Sequence, residues 1–263
     1  MSVRKEFERI SKIEDEIGVL TLYLTTDASS PELNNGEWKI HLKNEIKEMK
    51  NYADKDANDD EKKALKKLLK QFEDRVSELQ MDLHKGLVIT ASADGELWEE
   101  RNLQVPVTTT LHWEKTPATK QFEAIIQKYP NVAVIALQKT DVRFIETELG
   151  DIKDEIAYSW DFESESWLDY NNDSPPGSRG SGQDHFERRF NENKHRWYKN
   201  IAPKIGKKIK DRGLEGAYLI GSSDLVQALE ENMDKAHLSG VVYKNIGTKK
   251  SHEIVNEIYE DLI

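Results

Sequence analysis

The sequence predicts an α/β (α+β) protein of two domains, an N-terminal sheet with a helical hairpin and a second domain with a mixed sheet and a long basic helix. Three observations predict it. Residues 38–79 carry two successive helical periods joined by a polar, acidic link. The runs GVLTLYLTTD (18–27) and NVAVIALQ (131–138) are short, apolar and rich in β-branched residues, as buried strands are. A third helical period runs from Phe186 to Ile209 through a field of lysine and arginine. A length of 263 residues suits two ordinary domains. The boundary is expected near residue 112, giving domains 1–112 and 113–263.

Taken in order, residues 3–14 read as a helix and 18–27 as a strand. In the first hairpin helix Trp38, Leu42, Ile46 and Met49 share a face. In the second, Leu65, Leu68, Leu69, Phe72, Val76 and Leu79 follow the i, i+3, i+4, i+7 pattern. The link NYADKDANDDEK between them makes a negative tip. Strands return with KGLVITAS, a turn at Ala93-Asp94-Gly95, then ELWEE and LQVPVTTTLHW. EKTPATK (114–120) reads as a junction, with Pro117 in the first turn of a helix that buries Phe122, Ile125, Ile126 and Tyr129.

The unbroken apolar run NVAVIALQ suits a central strand covered on both faces. A turn at Lys139-Thr140-Asp141 leads into VRFIETELG as a hairpin, and another strand is expected near 153–160. WDFESESWLDYNNDSPPGSRGSGQ has no periodicity and reads as a long loop, a type that is usually functional or disordered. Phe186, Phe190, Trp197, Ile201, Ile205 and Ile209 then mark the long helix, with a kink expected at Pro203. GAYLIG is a strand, Ser222 or Ser223 a cap for the helix DLVQALEENM, VVYKN a last strand and SHEIVNEIYEDL a last helix. There are no internal repeats.

Composition excludes several classes of function. The 38 basic and 49 acidic residues leave a net charge of −11, which argues against nucleic-acid binding by the whole surface but leaves room for a local basic stripe. With no cysteine, disulfides, thiol catalysis and thiolate metal sites are excluded. The start, MSVRKEFERISKIEDE, lacks the apolar stretch of a signal peptide, and no run approaches a membrane span. A cytoplasmic protein with no membrane partner is expected.

The sharpest chemical feature is Gly180-Ser181-Gly182-Gln183, at the end of the long loop and the start of the basic helix. Arg188, Arg189, Lys194, Arg196, Lys199, Lys204, Lys207, Lys208, Lys210 and Arg212 follow, against Glu187, Glu192 and Asp211. In an acidic protein this local excess of cations is a candidate phosphate-binding surface. Lysine and arginine are also good helix formers, so a solvated face is the alternative. A helix N-terminus offers free N–H groups and partial positive charge to an anion. The plain alternative for GSRGSGQ is a flexible linker.

These residues resemble the archaeal and eukaryotic class-1 peptide-chain release factors, in which a Gly-Gly-Gln tripeptide lies on a loop before a long basic helix. SRGSGQDHFERRFNENKHRWYKNIA resembles that loop and helix, with Gln183 in the place of the family glutamine and Gly182 before it. Ser181 stands where stop-codon-reading factors have glycine. In this the chain is similar to the divergent branch that acts in ribosome quality control. NVAVIALQKTDVRFIETELG resembles the opening of the family's middle domain, GAYLIGSSDLVQAL its strand–GS–helix segment, and GVLTLYLTTD with the hairpin and KGLVITASADGELWEE the N-terminal domain. The Asn-Ile-Lys-Ser motif of the codon-reading tip is missing. At that tip stand Asp54, Asp56, Asp59, Asp60 and Glu61, which repel mRNA phosphates. No counterpart of the family's third, GTPase-binding domain is expected.

The resemblance implies a catalytic middle domain that acts on peptidyl-tRNA at the peptidyl-transferase centre of the large ribosomal subunit. It implies a catalytic loop of Gly180, Ser181, Gly182 and Gln183, and RNA contacts from Arg179, Arg188, Arg189, Lys194, His195, Arg196 and Lys199. The expected activity is codon-independent release of nascent peptide by ester hydrolysis on stalled or split ribosomes. Cleavage of the tRNA near its 3′ end and non-catalytic ribosome binding are the alternatives. No cofactor, metal or DNA partner is expected. Glycines let the backbone approach RNA closely, and an uncharged amide orients water and donates to an oxyanion without a shifted pKa.

Other motifs are weaker. Gly177, Gly180 and Gly182 make no dinucleotide fingerprint, since no strand leads into them at the right spacing. Ser222-Ser223 lacks an elbow glycine pattern, so capping is favoured over nucleophilic catalysis. Asp141 and Glu146 suggest a metal pair only weakly beside turn and surface roles. The six tryptophans read mostly as core, with Trp160 and Trp167 in the long loop expected either to pack it down or to meet a partner.

Overall fold

The computed structural model describes residues 3–27, 36–161, 163–170 and 183–262. The chain divides into two compact units, Met1–Gln127 and Lys128–Ile263.

In the first unit, β1 (Val19–Thr25), β2 (Gly86–Ser92), β3 (Trp98–Leu103) and β4 (Thr110–Glu114) form an antiparallel sheet in the order β3-β2-β1-β4. Successive side chains of a strand point to opposite faces. Leu20, Leu22, Leu24, Leu87, Ile89 and Leu111 therefore face a hairpin of α2 (Trp38–Lys55) and α3 (Asp59–Glu78). That hairpin returns Leu42, Ile46, Leu65, Leu68, Leu69, Phe72 and Val76 to the same core. The opposite face, with Tyr23, Val88 and Thr90, meets α1 (Val3–Ile10) and α4 (Lys120–Lys128), where the rings of Phe7 and Phe122 lie 5.8 Å apart. Cover on both sides accounts for the continuous apolar run of β1.

The expected boundary near residue 112 falls inside β4, which pairs with β1 from Glu114↔Val19 to Thr110↔Tyr23. The segment after β4 returns to the same sheet. Asp15 N donates to Lys115 O (2.9 Å), Tyr23 Oη to Ala118 O (2.7 Å) and Ala118 N to Thr21 Oγ1 (3.2 Å). Pro117 precedes α4 by three residues instead of lying in its first turn. The first helix ends at Ile10, short of the expected 14. Just beyond it, buried Asp15 gathers the N–H groups of Ile17 (2.8 Å), Gly18 (3.1 Å) and Asp94 (2.8 Å).

The hairpin link is also tighter than its polar composition predicts, because the helices consume most of it. Only residues 56–58 separate α2 from α3. Asn58 builds a capping box: its side chain accepts from Asp60 N (3.1 Å) and Glu61 N (3.0 Å), and its own N–H donates to Glu61 Oε2 (3.0 Å). Asp59, Asp60 and Glu61 form the first turn of α3, where negative charge complements the helix dipole.

The second unit holds a mixed sheet in the order β10-β9-β5-β6-β7-β8. Its strands are β5 (Val132–Leu137), β6 (Asp141–Glu148), β7 (Asp151–Asp161), β8 (Ser166–Tyr170), β9 (Ala217–Gly221) and β10 (Leu238–Tyr243). β5 is central, antiparallel to β6 and parallel to β9. One face carries α5 (Gln183–Asp211) and α6 (Ser223–Glu230), the other α7 (Ser251–Leu262). Alternate residues of β5 serve each side: Ala133, Ile135 and Leu137 join the α5 core, while Val134 and Ala136 join the α7 core.

The long loop expected from Trp160 to Gln183 is partly a hairpin. β7 and β8 pair through Trp160↔Trp167, and both rings enter the core under α5. Two large apolar side chains at facing positions outweigh the polar residues around them. Ser222 occupies the N-cap of α6, but its hydroxyl donates to Asp224 Oδ1 (2.7 Å) and makes no backbone cap bond.

Candidate functional site

The site expectations converge on α5, whose periodicity makes it two-faced. Phe190, Trp197, Tyr198, Ile201, Ala202, Ile205 and Ile209 are buried against the sheet, at the i, i+3, i+4 spacings of one helix face. The helix continues through Pro203 to Asp211.

Its anchorage is aromatic. Trp197 stacks on Trp160 with centroids 4.6 Å apart and planes 18° apart. Trp167 meets Trp160 edge-on at 5.5 Å, and Phe190 meets Trp197 at 5.6 Å. Such pairs contribute on the order of 1 kcal/mol each beyond their buried area. Polar tips are satisfied within the cluster: Trp167 Nε1 donates to Trp197 O (2.8 Å), Tyr198 Oη to Gln138 O (2.7 Å) and Lys204 Nζ to Trp167 O (2.8 Å). Burial raises the pKa of the Tyr198 phenol, so it stays a neutral donor.

Gln183 is the first residue of α5. At about 1.5 Å per residue it begins about 10 Å along the helix from Phe190, the first described buried anchor. Arg179, Gly180, Ser181 and Gly182 lie outside the described residues. Of Gln183 and Arg189 only the place along the helix is described.

The outward face carries the predicted cations, but several are engaged by carboxylates. Arg188 lies 4.0 Å from Glu192, Lys194 lies 3.5 Å from Asp224, His195 Nδ1 lies 3.5 Å from Glu231, and Arg196 lies 3.3 Å from Glu165. Burial works to raise the Asp224 carboxyl pKa, yet the Ser222 hydroxyl and Lys194 outweigh it and hold the group below its ordinary value. Among the described residues no carboxylate stands in ion-pair range of Lys199, Lys207, Lys208 or Lys210, and Lys199, Lys207 and Lys210 are exposed. The freely available positive charge therefore sits farther along the helix than the sequence predicts. Beyond Glu192 of α5 itself, Asp224 of α6, Glu231 at its C-terminal end and Glu165 in the β7–β8 turn supply these acids.

Asp141 and Glu146 do not converge on a metal. Glu146 pairs with Arg212 (2.5 Å), which also reaches Asp154 and lies over the Phe144 ring, while Asp141 accepts from Thr140 Oγ1 (2.8 Å). Among the described residues no group of three or more His, Asp or Glu is placed to hold an ion. None of their helices is long and apolar enough to cross a membrane. Sequence reasoning missed Trp160 and Trp167 as the anchors of α5. The available signal was the alternation Ile156, Tyr158, Trp160, which continues the strand into the supposed loop.

Residues 130–260, from just before β5 to within the last turn of α7, match the model of bacterial archaeo-eukaryotic release factor family 5. The chain is 29% identical over 253 residues to the uncharacterized protein YocB of Bacillus subtilis (strain 168), covering 95% of each chain. Two solved structures are similar over 98% of this chain and 72% of theirs. One is an archaeal protein (TM-score 0.34, 15% identity), the other the archaeal translation termination factor aRF1 (TM-score 0.33, 16% identity).

Proposed function

Because residues 130–260 make this chain a member of a release-factor-like family, we propose that it releases nascent peptide from peptidyl-tRNA on stalled or split ribosomes, with no codon requirement. The observation that carries this reading is the place of Gln183 at the first position of α5, a helix fixed to the sheet through Phe190 and Trp197. A glutamine following Gly180-Ser181-Gly182 is thereby held at the end of a rigid element. The first helical turn contributes backbone N–H groups without intrahelical partners and a partial positive charge.

In the proposed reaction a water oxygen bonds to the ester carbonyl carbon, and the bond from that carbon to the tRNA 3′ oxygen breaks. The peptide leaves with a free carboxyl group and the tRNA with a free 3′ hydroxyl. The Gln183 amide orients the water and donates to the developing oxyanion. Lys199 and its exposed neighbours on α5 meet RNA phosphates as point charges at the large subunit's peptidyl-transferase centre. Ser181, in place of a second consecutive glycine, favours a second reading, cleavage of the tRNA near its 3′ end. Incubation with purified stalled peptidyl-tRNA–ribosome complexes tests both. Ester hydrolysis leaves tRNA with its CCA end, and a shortened tRNA overturns it in favour of cleavage.

A further inference from the structure

The helical hairpin of the first unit has a charge pattern that its fold does not require. Between Glu61 and Glu73 the sequence holds Lys62, Lys63, Lys66, Lys67 and Lys70 and no aspartate or glutamate. All five lysines are exposed. Leu65, Leu68, Leu69, Phe72 and Val76 take the core side of α3. At about 3.6 residues per turn, Lys63, Lys66, Lys67 and Lys70 fall on the side away from it.

The neighbouring helix extends this face. Lys39, Lys43, Lys47 and Lys50 of α2 are exposed and spaced by four, four and three residues, so they form one flank. Contacts across the seam set that flank beside α3. Lys39 Nζ donates to Gln80 Oε1 (2.8 Å), Lys50 lies 3.9 Å from Glu73, and Lys62 lies 3.1 Å from Asp54. Of these nine lysines, described carboxylates stand within ion-pair range of Lys50 and Lys62 only. A chain of net charge −11 thus carries a locally inverted surface.

Helix formation does not call for this arrangement. Lys39–Lys43, Lys43–Lys47, Lys62–Lys66, Lys63–Lys67 and Lys66–Lys70 are like-charge pairs at i, i+4, each unfavourable in the free helix. Glutamine or glutamate would serve the helix about as well. A polyanion laid over the face converts that repulsion into attraction.

We propose that the outer face of the α2–α3 hairpin binds the phosphate backbone of RNA side-on, in a sequence-independent manner, with the acidic tip turned away. RNA is favoured over a protein partner because interfaces between proteins are depleted in lysine and enriched in aromatics. The solvent side of α3 between Lys62 and Lys70 carries no aromatic residue. It is favoured over a lipid surface because that side of α3 offers no large apolar residue to insert and the α2 flank adds a single exposed one, Ile40. The orientation follows from charge: Asp54, Asp56, Asp59, Asp60 and Glu61 crowd the tip and repel phosphate, so the strand lies along the helices instead of meeting them end-on. The surface is independent of the Gln183 assignment.

The test uses the full chain and a short RNA duplex, with affinity measured from about 50 to about 200 mM salt. The quadruple variant K63E/K66E/K67E/K70E should bind at least about tenfold more weakly at the low-salt end and show a log–log salt slope shallower by about three. The alanine quadruple should flatten the slope as well, and it keeps the test available if charge reversal perturbs folding. The arginine quadruple should retain binding. Lys199→Glu, run in parallel, reports on α5 and separates a failure there from a failure here. The proposal is overturned by an unchanged slope in both quadruple variants, or by absence of duplex binding in the wild-type chain at low salt. It is also overturned if polyglutamate or anionic phospholipid vesicles bind the wild-type face and RNA does not.

Discussion

Trp167 donates its indole N–H to the main-chain carbonyl of Trp197 across 2.8 Å of buried space. The bond joins β8, the last strand before residues 171–182, to α5, the helix that follows them. A backbone carbonyl has two lone pairs, so Trp197 can accept this bond and still serve its own helix. The Trp160 ring stacked on Trp197 adds a second tie from β7. The two elements on either side of residues 171–182 are therefore referenced to one sheet, and the proposed chemistry depends on that reference.

Trp167→Phe keeps a buried aromatic ring but removes the donor and one of the two fused rings. It should cost about 2–3 kcal/mol of stability, from the lost hydrogen bond and the cavity left behind, and lower the single-turnover release rate more than ribosome affinity, because it loosens the registration of α5. Trp197→Ala removes the stack and should cost about 3–5 kcal/mol. Melting curves beside release and binding assays check both. A Trp167→Phe protein that melts earlier but releases peptide at the wild-type rate would show that the bond serves stability alone.

The hairpin tip yields a paired prediction. Asn58→Ala should lower stability by about 1 kcal/mol through loss of the α3 cap, without altering release at temperatures where the protein is folded. Release by the wild-type chain should proceed equally with a sense codon, a stop codon or no codon in the decoding site, since Asp59 and Asp60 are poor partners for mRNA. A requirement for a stop codon would overturn the reading of this tip.

On α5, equal charge changes should have unequal effects. Lys199 is exposed with no described carboxylate in ion-pair range, so Lys199→Glu should weaken ribosome binding and reduce the salt slope by about one, with little change in melting. Lys194 is already engaged by Asp224. Lys194→Glu sets two carboxylates together and should lower the melting temperature, with a smaller effect on the salt slope. If both variants lose ribosome affinity equally, the ion pairs do not partition the basic face.

Much of this architecture is legible in the sequence because it is written in period. The stripes Leu65–Val76 and Phe190–Ile209 and the continuous run Val132–Leu137 each fall where burial requires them. What was not legible depends on partners distant in the chain. Trp160 and Trp167 look like loop residues until their pairing across β7 and β8 is known. The carboxylates that engage Lys194, His195 and Arg196 come from Asp224, Glu231 and Glu165, about thirty or more residues away. The return of Lys115 and Ala118 to the first sheet likewise rests on hydrogen bonds to Asp15 and Thr21, which no local pattern announces. The Asn58–Glu61 box was legible as N-x-x-E but was masked by the surrounding acids.

Gln183→Ala should slow peptide release by on the order of a hundredfold to a thousandfold, the usual cost of losing one oriented donor at a developing oxyanion. Gln183 begins α5 about two turns before Phe190, the first described buried anchor of the helix, and the substitution should shift stability by only about half a kcal/mol. Ribosome binding should persist, because the cations of α5 are untouched. Gly182→Ala should act in the same direction if the backbone there needs a conformation that a β-carbon disfavours. Ser181→Gly restores two consecutive glycines and should retain or raise hydrolysis if the ester mechanism holds. The measurement is single-turnover release from a stalled complex, run beside a binding assay and a melting curve. Wild-type release by a folded, ribosome-bound Gln183→Ala protein would remove the glutamine from the chemistry and leave a ribosome-binding factor or an enzyme whose reacting groups lie elsewhere.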